Sequence, residues 1–201
     1  MTNEGPSIDW DAFREASWGG RLMELLVKLP WERWAERDEY GLTLLHYACV
    51  GPNVAAVKAL LQSGLVDVSA RTGWGRSPAH VAASDGQPRV LEVLCAAGAD
   101  LQARNMFGES PADHALMQEH SETVRVLVAN GVRLSTVRKD RREYITPELE
   151  AFERGVLRCR EAVVAMLRVK KTAQLYHVDK FLMRELAYAM WATRTCDRWQ
   201  K

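Results

Sequence analysis

The sequence is short of the features that announce chemistry. Its four cysteines (Cys49, Cys95, Cys159, Cys196) lie far apart and form no Cys-x-x-Cys pair. Neither a zinc ribbon nor a disulfide framework is expected. Buried thiols in a reduced intracellular compartment, cytoplasmic or nuclear, fit that usage. There is no Gly-x-Ser-x-Gly, no phosphate-binding Gly-x-x-x-x-Gly-Lys and no Gly-x-Gly-x-x-Gly. The reading is therefore of a non-enzyme without cofactor or small-molecule substrate. No run approaches the roughly 18 apolar residues of a membrane span, so none is expected. The first residues have no basic n-region and no apolar h-region, so no secretory signal is expected. An excess of one charge is missing too. Lys and Arg number 27 against 26 Asp and Glu, a net charge of +1, which disfavours bulk electrostatic binding to nucleic acid. That total conceals a split. Residues 1–132 hold 11 Lys and Arg against 17 Asp and Glu, and residues 133–201 hold 16 against 9. An acidic front is joined to a basic back.

What is present is a period. Gly41, Gly75 and Gly108 recur at a near-constant interval, and Gly64, Gly98, Gly131 and Ala48, Ala82, Ala115 keep the same one. Three columns sharing one interval of about 33 residues mark a repeat architecture, with units at about 38–71, 72–104 and 105–137. In each, a Gly turn precedes Thr43 to His46, Ser77 to His80 or Ser110 to Asp113. The Ser or Thr suits a helix N-cap, and Pro78 and Pro111 suit the first helical position. A second helix carries Val57, Leu60, Leu61, or Leu91, Leu94, Cys95, or Val124, Leu127, Val128 at i, i+3, i+4, a one-sided apolar stripe. It ends at a Gly.

These residues resemble the ankyrin repeat, whose pattern is a Gly-x-Thr-Pro-Leu-His turn, two helices and a Gly-Ala-Asp loop. The match includes Ser77-Pro78-Ala79-His80 and Gly98-Ala99-Asp100 and covers about half the chain; the third unit departs at Asp113 and Arg133. The resemblance implies an all-α ankyrin-repeat solenoid followed by a C-terminal helical module. It also implies structural roles for His46, His80, Gly41, Gly75 and Gly108, with each histidine bonding backbone of its turn and of the next repeat. A metal reading of His46, His80 and Asp113 is rejected on spacing: neighbours in such a stack lie ~10 Å apart, while ligand nitrogens sit ~2 Å from one ion. Residues 1–37 read as a capping repeat, polar at Glu4, Asp9, Asp11 and Glu15, with Ala16 and Gly19 placed close to one period before Ala48 and Gly51. Trp31 and Trp34 fall where a finger turn is expected.

By the same resemblance, a partner protein is expected on the turn fingers and first helices. The candidate contacts are Tyr40, Leu42, Trp74 and Arg76, then Met106, Phe107, Glu109 and Met117. Val50, Ser84, Asp85 and Gln118 lie at the helix ends. The residue before each turn Gly is aromatic: Tyr40, Trp74, Phe107. That column predicts a ladder of interface anchors.

From 138 to 201 the chain reads as a basic helical module. Residues 135–145 are expected to be a polar connector carrying Arg138, Lys139, Arg141 and Arg142. A helix is expected from Thr146-Pro147 to about Arg168, breaking near Gly155. Lys170, Lys171 and 172–176 are expected as a loop, and 178–193 as a last helix. Three roles are open: capping the repeats, docking an adaptor, or presenting basic residues to nucleic acid or an anionic membrane. Segments from Arg158 to Arg194 resemble C-terminal helices of ankyrin proteins of large DNA viruses and protists. In poxvirus members such helices are F-box-like, which implies a Skp-type adaptor of a cullin ubiquitin ligase docking at 147–199. The place of the usual Leu-Pro-x-Glu reads Tyr176-His177-Val178-Asp179. Glu143, Glu148, Glu150, Glu153 and Glu161 interleave the basic residues and weaken phosphate attraction. The pairs Glu150–Arg154 and Glu153–Arg160 are expected on one helix face.

Overall fold

The computed structural model describes residues 8–171. They form nine α-helices and three 3-10 turns, with no strand among the described residues. In chain order the helices are α1 (Trp10–Trp18), α2 (Leu22–Leu26), α3 (Leu44–Ala48), α4 (Val54–Gln62), α5 (Pro78–Ser84), α6 (Pro88–Ala96), α7 (Pro111–Met117), α8 (Ser121–Ala129) and α9 (Pro147–Lys171). The chain divides into two compact units, Met1–Val124 and Arg125–Lys201, with the boundary inside α8.

In the first unit α1 packs on α2, α3 on α4 and α5 on α6; α1, α3, α5 and α7 form one row, and α2, α4 and α6 a second. Leu44, Leu45, Leu60, Leu91 and Leu94 are wholly buried, each worth about 1.5–3 kcal/mol. The caps explain where the first helices begin. Thr43, Ser77 and Ser110 are extended, with φ of −103°, −90° and −95°. Each hydroxyl takes the backbone N–H at the third helical position, while the side chain there (His46, His80, Asp113) takes the cap's own N–H. Two orphan amides are satisfied reciprocally.

Ahead of each cap the chain makes a hairpin finger. Asp38, Thr72 and Asn105 donate N–H to the carbonyls of Leu42, Arg76 and Glu109, at 2.9, 3.0 and 2.9 Å. The finger tips need positive φ, supplied at Gly75 by +72°, where a Cβ would also sit 3.1 Å from the Met106 nitrogen. Fingers bond to one another through backbone: Gly73 N–H to the Tyr40 carbonyl (2.9 Å) and Met106 N–H to that of Trp74 (3.1 Å). The first finger, marked by an isolated bridge between Arg37 and Thr43, is not where Trp31 and Trp34 lie. Trp31 opens a 3-10 turn, Trp31–Arg33, that ends at Trp34, and Trp34 Nε1 donates to the Leu29 carbonyl at 3.3 Å. Asp9 caps α1 by accepting from the Ala12 N–H at 3.0 Å. Glu4 lies outside the described residues.

The second unit corrects several expectations. The polar connector at 135–145 has local structure of its own. It makes 3-10 turns over Leu134–Thr136 and Lys139–Tyr144, with Leu134 and Val137 buried. The helix does not break at Gly155. It runs unbroken from Pro147 through Lys171, so Lys170 and Lys171 are helical rather than in a loop. A mid-helix Gly costs about 1 kcal/mol, and burial of Leu149, Phe152 and Val156 along one face exceeds that. Glu153 and Arg160 do not pair with one another. Glu153 Oε1 accepts the Leu134 N–H at 2.9 Å, and Arg160 Nη2 donates to the Ala129 carbonyl ending α8 at 3.0 Å. Each satisfies an otherwise orphaned backbone group, a better use of charge than an exposed pair. Glu150 and Arg154 do meet, at 3.4 Å on the surface. The stretch 172–176, the helix expected at 178–193, Trp191, Trp199 and the 172–199 part of the adaptor-docking stretch lie outside the described residues.

Candidate functional site

Both repeat histidines have their two ring nitrogens engaged by the fold. Thr43 N–H donates to His46 Nδ1 at 3.1 Å, and Ser77 N–H to His80 Nδ1 at 3.1 Å. Nδ1 is therefore an acceptor and the proton resides on Nε2, which donates to the Arg76 carbonyl (3.2 Å) or the Glu109 carbonyl (3.0 Å) of the next finger. Both pKa values are lowered to about 4, first by burial. At neutral pH each ring is uncharged with both nitrogens engaged. In the third repeat Asp113 Oδ2 takes the N–H and Oγ–H of Ser110, each at 2.7 Å.

A second ladder escaped the sequence reading. Arg37 and Arg71 each reach across their own finger and onto the next: Arg37 Nη1 to the carbonyls of Gly41 (3.3 Å) and Arg71 (2.8 Å), Arg71 Nη1 to those of Gly75 (2.9 Å) and Arg104 (3.0 Å). Arg104 Nη1 bonds the Gly108 carbonyl at 2.6 Å. The signal was available, since 37, 71 and 104 share the spacing of the glycines. These cations hold fingers together.

The expected contact residues divide by surroundings. Tyr40 and Trp74 are each 47% exposed, with rings stacked at 5.9 Å and 13° between planes. Met106 and Phe107 are more open, and Met117 is partly open. Arg76 and Glu109 turn inward. Burial lowers the Arg76 pKa, while Asn105 Nδ2 holds the Glu109 carboxylate at 3.1 Å, with His114 Nε2 at 3.4 Å.

Tyr40, Leu42 and Trp74 share an open groove of about 420 Å³. Its other wall comes from helices. Tyr47 of α3 and Val50 line it, and so do Arg14, Ser17 and Trp18 of the capping helix α1. The volume lies within the range of ligand-accepting clefts. Trp18 is 66% exposed and was not among the expected contacts. It stands close to one period before Val50, so the column of helix-end residues contained it.

Polar atoms in the groove wall are mostly used locally. Ser17 Oγ donates to the Phe13 carbonyl at 2.7 Å. Tyr47 Oη donates to Asp38 Oδ2 at 2.7 Å and accepts from Arg14, which raises the Arg14 pKa. Burial, then the Asp38 bond, pushes the phenol of Tyr47 up to about 12. Asp38 Oδ1 accepts the N–H groups of Tyr40 and Leu42 at 2.9 and 2.8 Å. What faces the groove is chiefly ring and aliphatic surface, with one guanidinium on the wall.

Among the described residues no helix is long and apolar enough to cross a membrane. In the second unit, Arg138 pairs with Asp140 at 3.0 Å and Arg142 donates to the Ser135 carbonyl at 3.0 Å, so these two cations are engaged locally.

Comparison with known proteins converges on the same residues. A family model described as ankyrin repeats in three copies matches residues 13–105 and 66–140. The nuclear factor NF-kappa-B p105 subunit of Gallus gallus is 36% identical over 77 residues, 38% of this chain and 8% of that protein. Protein phosphatase 1 regulatory subunit 27 of Mus musculus is 40% identical over 59 residues, 29% of this chain and 38% of that protein. The human protein of the same name is also 40% identical over 59 residues. Each match spans well under two thirds of the relative's length. Repeats of this kind are protein–protein interaction modules. With the period, the capped helix pairs, the bonded fingers and the family model all on the same stretch, the chain belongs to the ankyrin-repeat family.

Proposed function

We propose that this chain is a non-catalytic binding module that holds a partner protein against the finger and first-helix face of residues 14–117. The observation that carries the proposal is the groove between α1, α3 and the first two fingers. Exposed aromatic rings are strong interface anchors because they bury large area with little rotamer entropy to lose. Here Trp18, Tyr40 and Trp74 border one groove, and Met106, Phe107 and Met117 offer further apolar surface on the third repeat. A regulatory role through binding is in keeping with the name of the phosphatase regulatory subunit matched above. The engagement of both nitrogens of His46 and His80 with backbone and cap supports a non-catalytic reading, since neither imidazole is available as a base.

The test is capture of partners on the full chain, followed by titration calorimetry. Trp74→Ala is expected to weaken the captured partner by more than about 1 kcal/mol, or fivefold or more, with the melting temperature nearly unchanged. Undiminished binding to both Trp74→Ala and Tyr40→Ala would remove this groove from the interface.

A further inference from the structure

We infer that the groove selects a partner segment bearing a bulky apolar side chain beside a carboxylate, the side chain entering between Trp18, Tyr40 and Trp74 and the carboxylate pairing with Arg14. The inference rests on the binding reading above and goes further by giving the partner's chemistry.

Shape and charge point the same way. A groove of about 420 Å³ accommodates one or two large side chains, and a wall of rings and methyl groups rewards burying them. Two of its hydroxyls are committed: Ser17 to the Phe13 carbonyl and Tyr47 to Asp38. Asp38, behind Tyr47, accepts from two backbone N–H groups and the Tyr47 phenol. Among the residues that line the groove, Arg14 is the one that carries a charge. Its side chain is 52% exposed, and Nη1 contacts Asp11, itself 82% exposed, at 2.7 Å. A guanidinium has five N–H donors, so one exposed carboxylate and the Tyr47 oxygen do not exhaust it.

Bulk charge argues the other way, because residues 1–132 are net acidic. Local charge prevails in the groove. Exposed charges beyond about 8–10 Å are largely screened at physiological salt, whereas a carboxylate set beside the inserted side chain contacts Arg14 directly. The Asp11 pair does not block it, since an ion pair this exposed is weak and readily exchanged.

The probe is a phage-displayed library of random dodecapeptides selected on the full chain, with winning peptides resynthesised and titrated. The expected winners carry Leu, Met, Phe or Trp with Asp or Glu within two positions. They should lose about tenfold or more in affinity on Trp74→Ala and about fivefold on Arg14→Gln. Arg14→Lys should keep the preference, Arg14→Glu should shift the selected neighbour to Lys or Arg, and Asp11→Asn should tighten acidic peptides. Thermal melts of each variant separate lost binding from lost folding, and Asp11→Asn reads the same electrostatics without touching Arg14. Winners that need Trp74 but carry basic neighbours, or ignore both Arg14→Gln and Asp11→Asn, overturn the inference and leave the binding groove standing. Winners indifferent to Trp74→Ala and Tyr40→Ala, or no enrichment at all, overturn both.

Discussion

In the second repeat the third helical position beyond the cap holds His80; in the third repeat, one period on, it holds Asp113. The backbones agree: Ser77 and Ser110 have φ of −90° and −95° and the same ψ of 167°. Both side chains close the capping box. The imidazole also crosses to the next finger, donating to the Glu109 carbonyl at 3.0 Å. A second difference follows at the turn after the helix, where Gly86 is replaced by Glu119 with both in the left-handed region, φ +66° and +57°. The repeat fixes which backbone groups need a partner; the side chain decides which atom serves them.

The largest test of that contrast is His80→Ala. It strands the Ser77 N–H and the Glu109 carbonyl and leaves a cavity in a fully buried site. The expected loss is about 3 kcal/mol in chemical denaturation; a loss under about 1 kcal/mol would mean the inter-repeat bond contributes little.

Acid is the next lever. The folded-state pKa of His46 and His80 is about 4, against about 6.5 for an unfolded chain. The unfolded state takes up protons first. The stability contributed by the neutral rings is therefore present above about pH 6.5 and is lost as pH falls from there toward 4. By pH 5.5 the loss is about 1 kcal/mol per ring, about 2 for the pair. Imidazole NMR resonances of both residues should stay in the neutral form down to about pH 5. Titration near 6.5 would contradict the buried, Nε2-protonated assignment.

His80→Asp turns the second repeat's chemistry into the third's. The carboxylate should restore the cap on Ser77 but not the bond to Glu109. The expected loss is about 1–2 kcal/mol, smaller than for alanine. The variant should also shed about half of the acid sensitivity, since it has one imidazole fewer to protonate. Equal losses for Asp and Ala would show that the cap, not the crossing bond, is the dispensable part.

Periodic structure was legible in the sequence because every repeat poses the same steric problem. Gly41, Gly75 and Gly108 fill positions of positive φ, and the Thr43, Ser77 and Ser110 columns mark helix starts. The aromatic column was legible too, though that Tyr40 stacks on Trp74 was not, because stacking depends on how far one finger lies from the next. Trp18 and the arginine ladder keep the same period, but a tryptophan in the capping repeat reads as core, and charge on a turn reads as solvated until its carbonyl partners are seen. The contacts of Glu153 and Arg160 had no such signal. They link residues 19 and 31 positions apart through loop geometry that occurs once, and a helical pattern alone paired them with one another.

The smallest expected effect comes from Glu119. A side chain held at φ +57° costs about 1 kcal/mol relative to glycine, and Glu119 is exposed. Glu119→Gly relieves that strain but returns entropy to the unfolded chain, about 0.4–1 kcal/mol. The net gain expected in denaturation is about 0.5 kcal/mol or less. The reciprocal change sharpens the comparison because Gly86 answers two constraints. Its φ is also positive, and a Cβ there would stand 2.8 Å from the His120 ring. Gly86→Ala should therefore cost about 2 kcal/mol, more than backbone conformation alone requires. If the cost falls to about 1 kcal/mol, the His120 ring yields, and the two turns differ only in which residue tolerates the left-handed backbone.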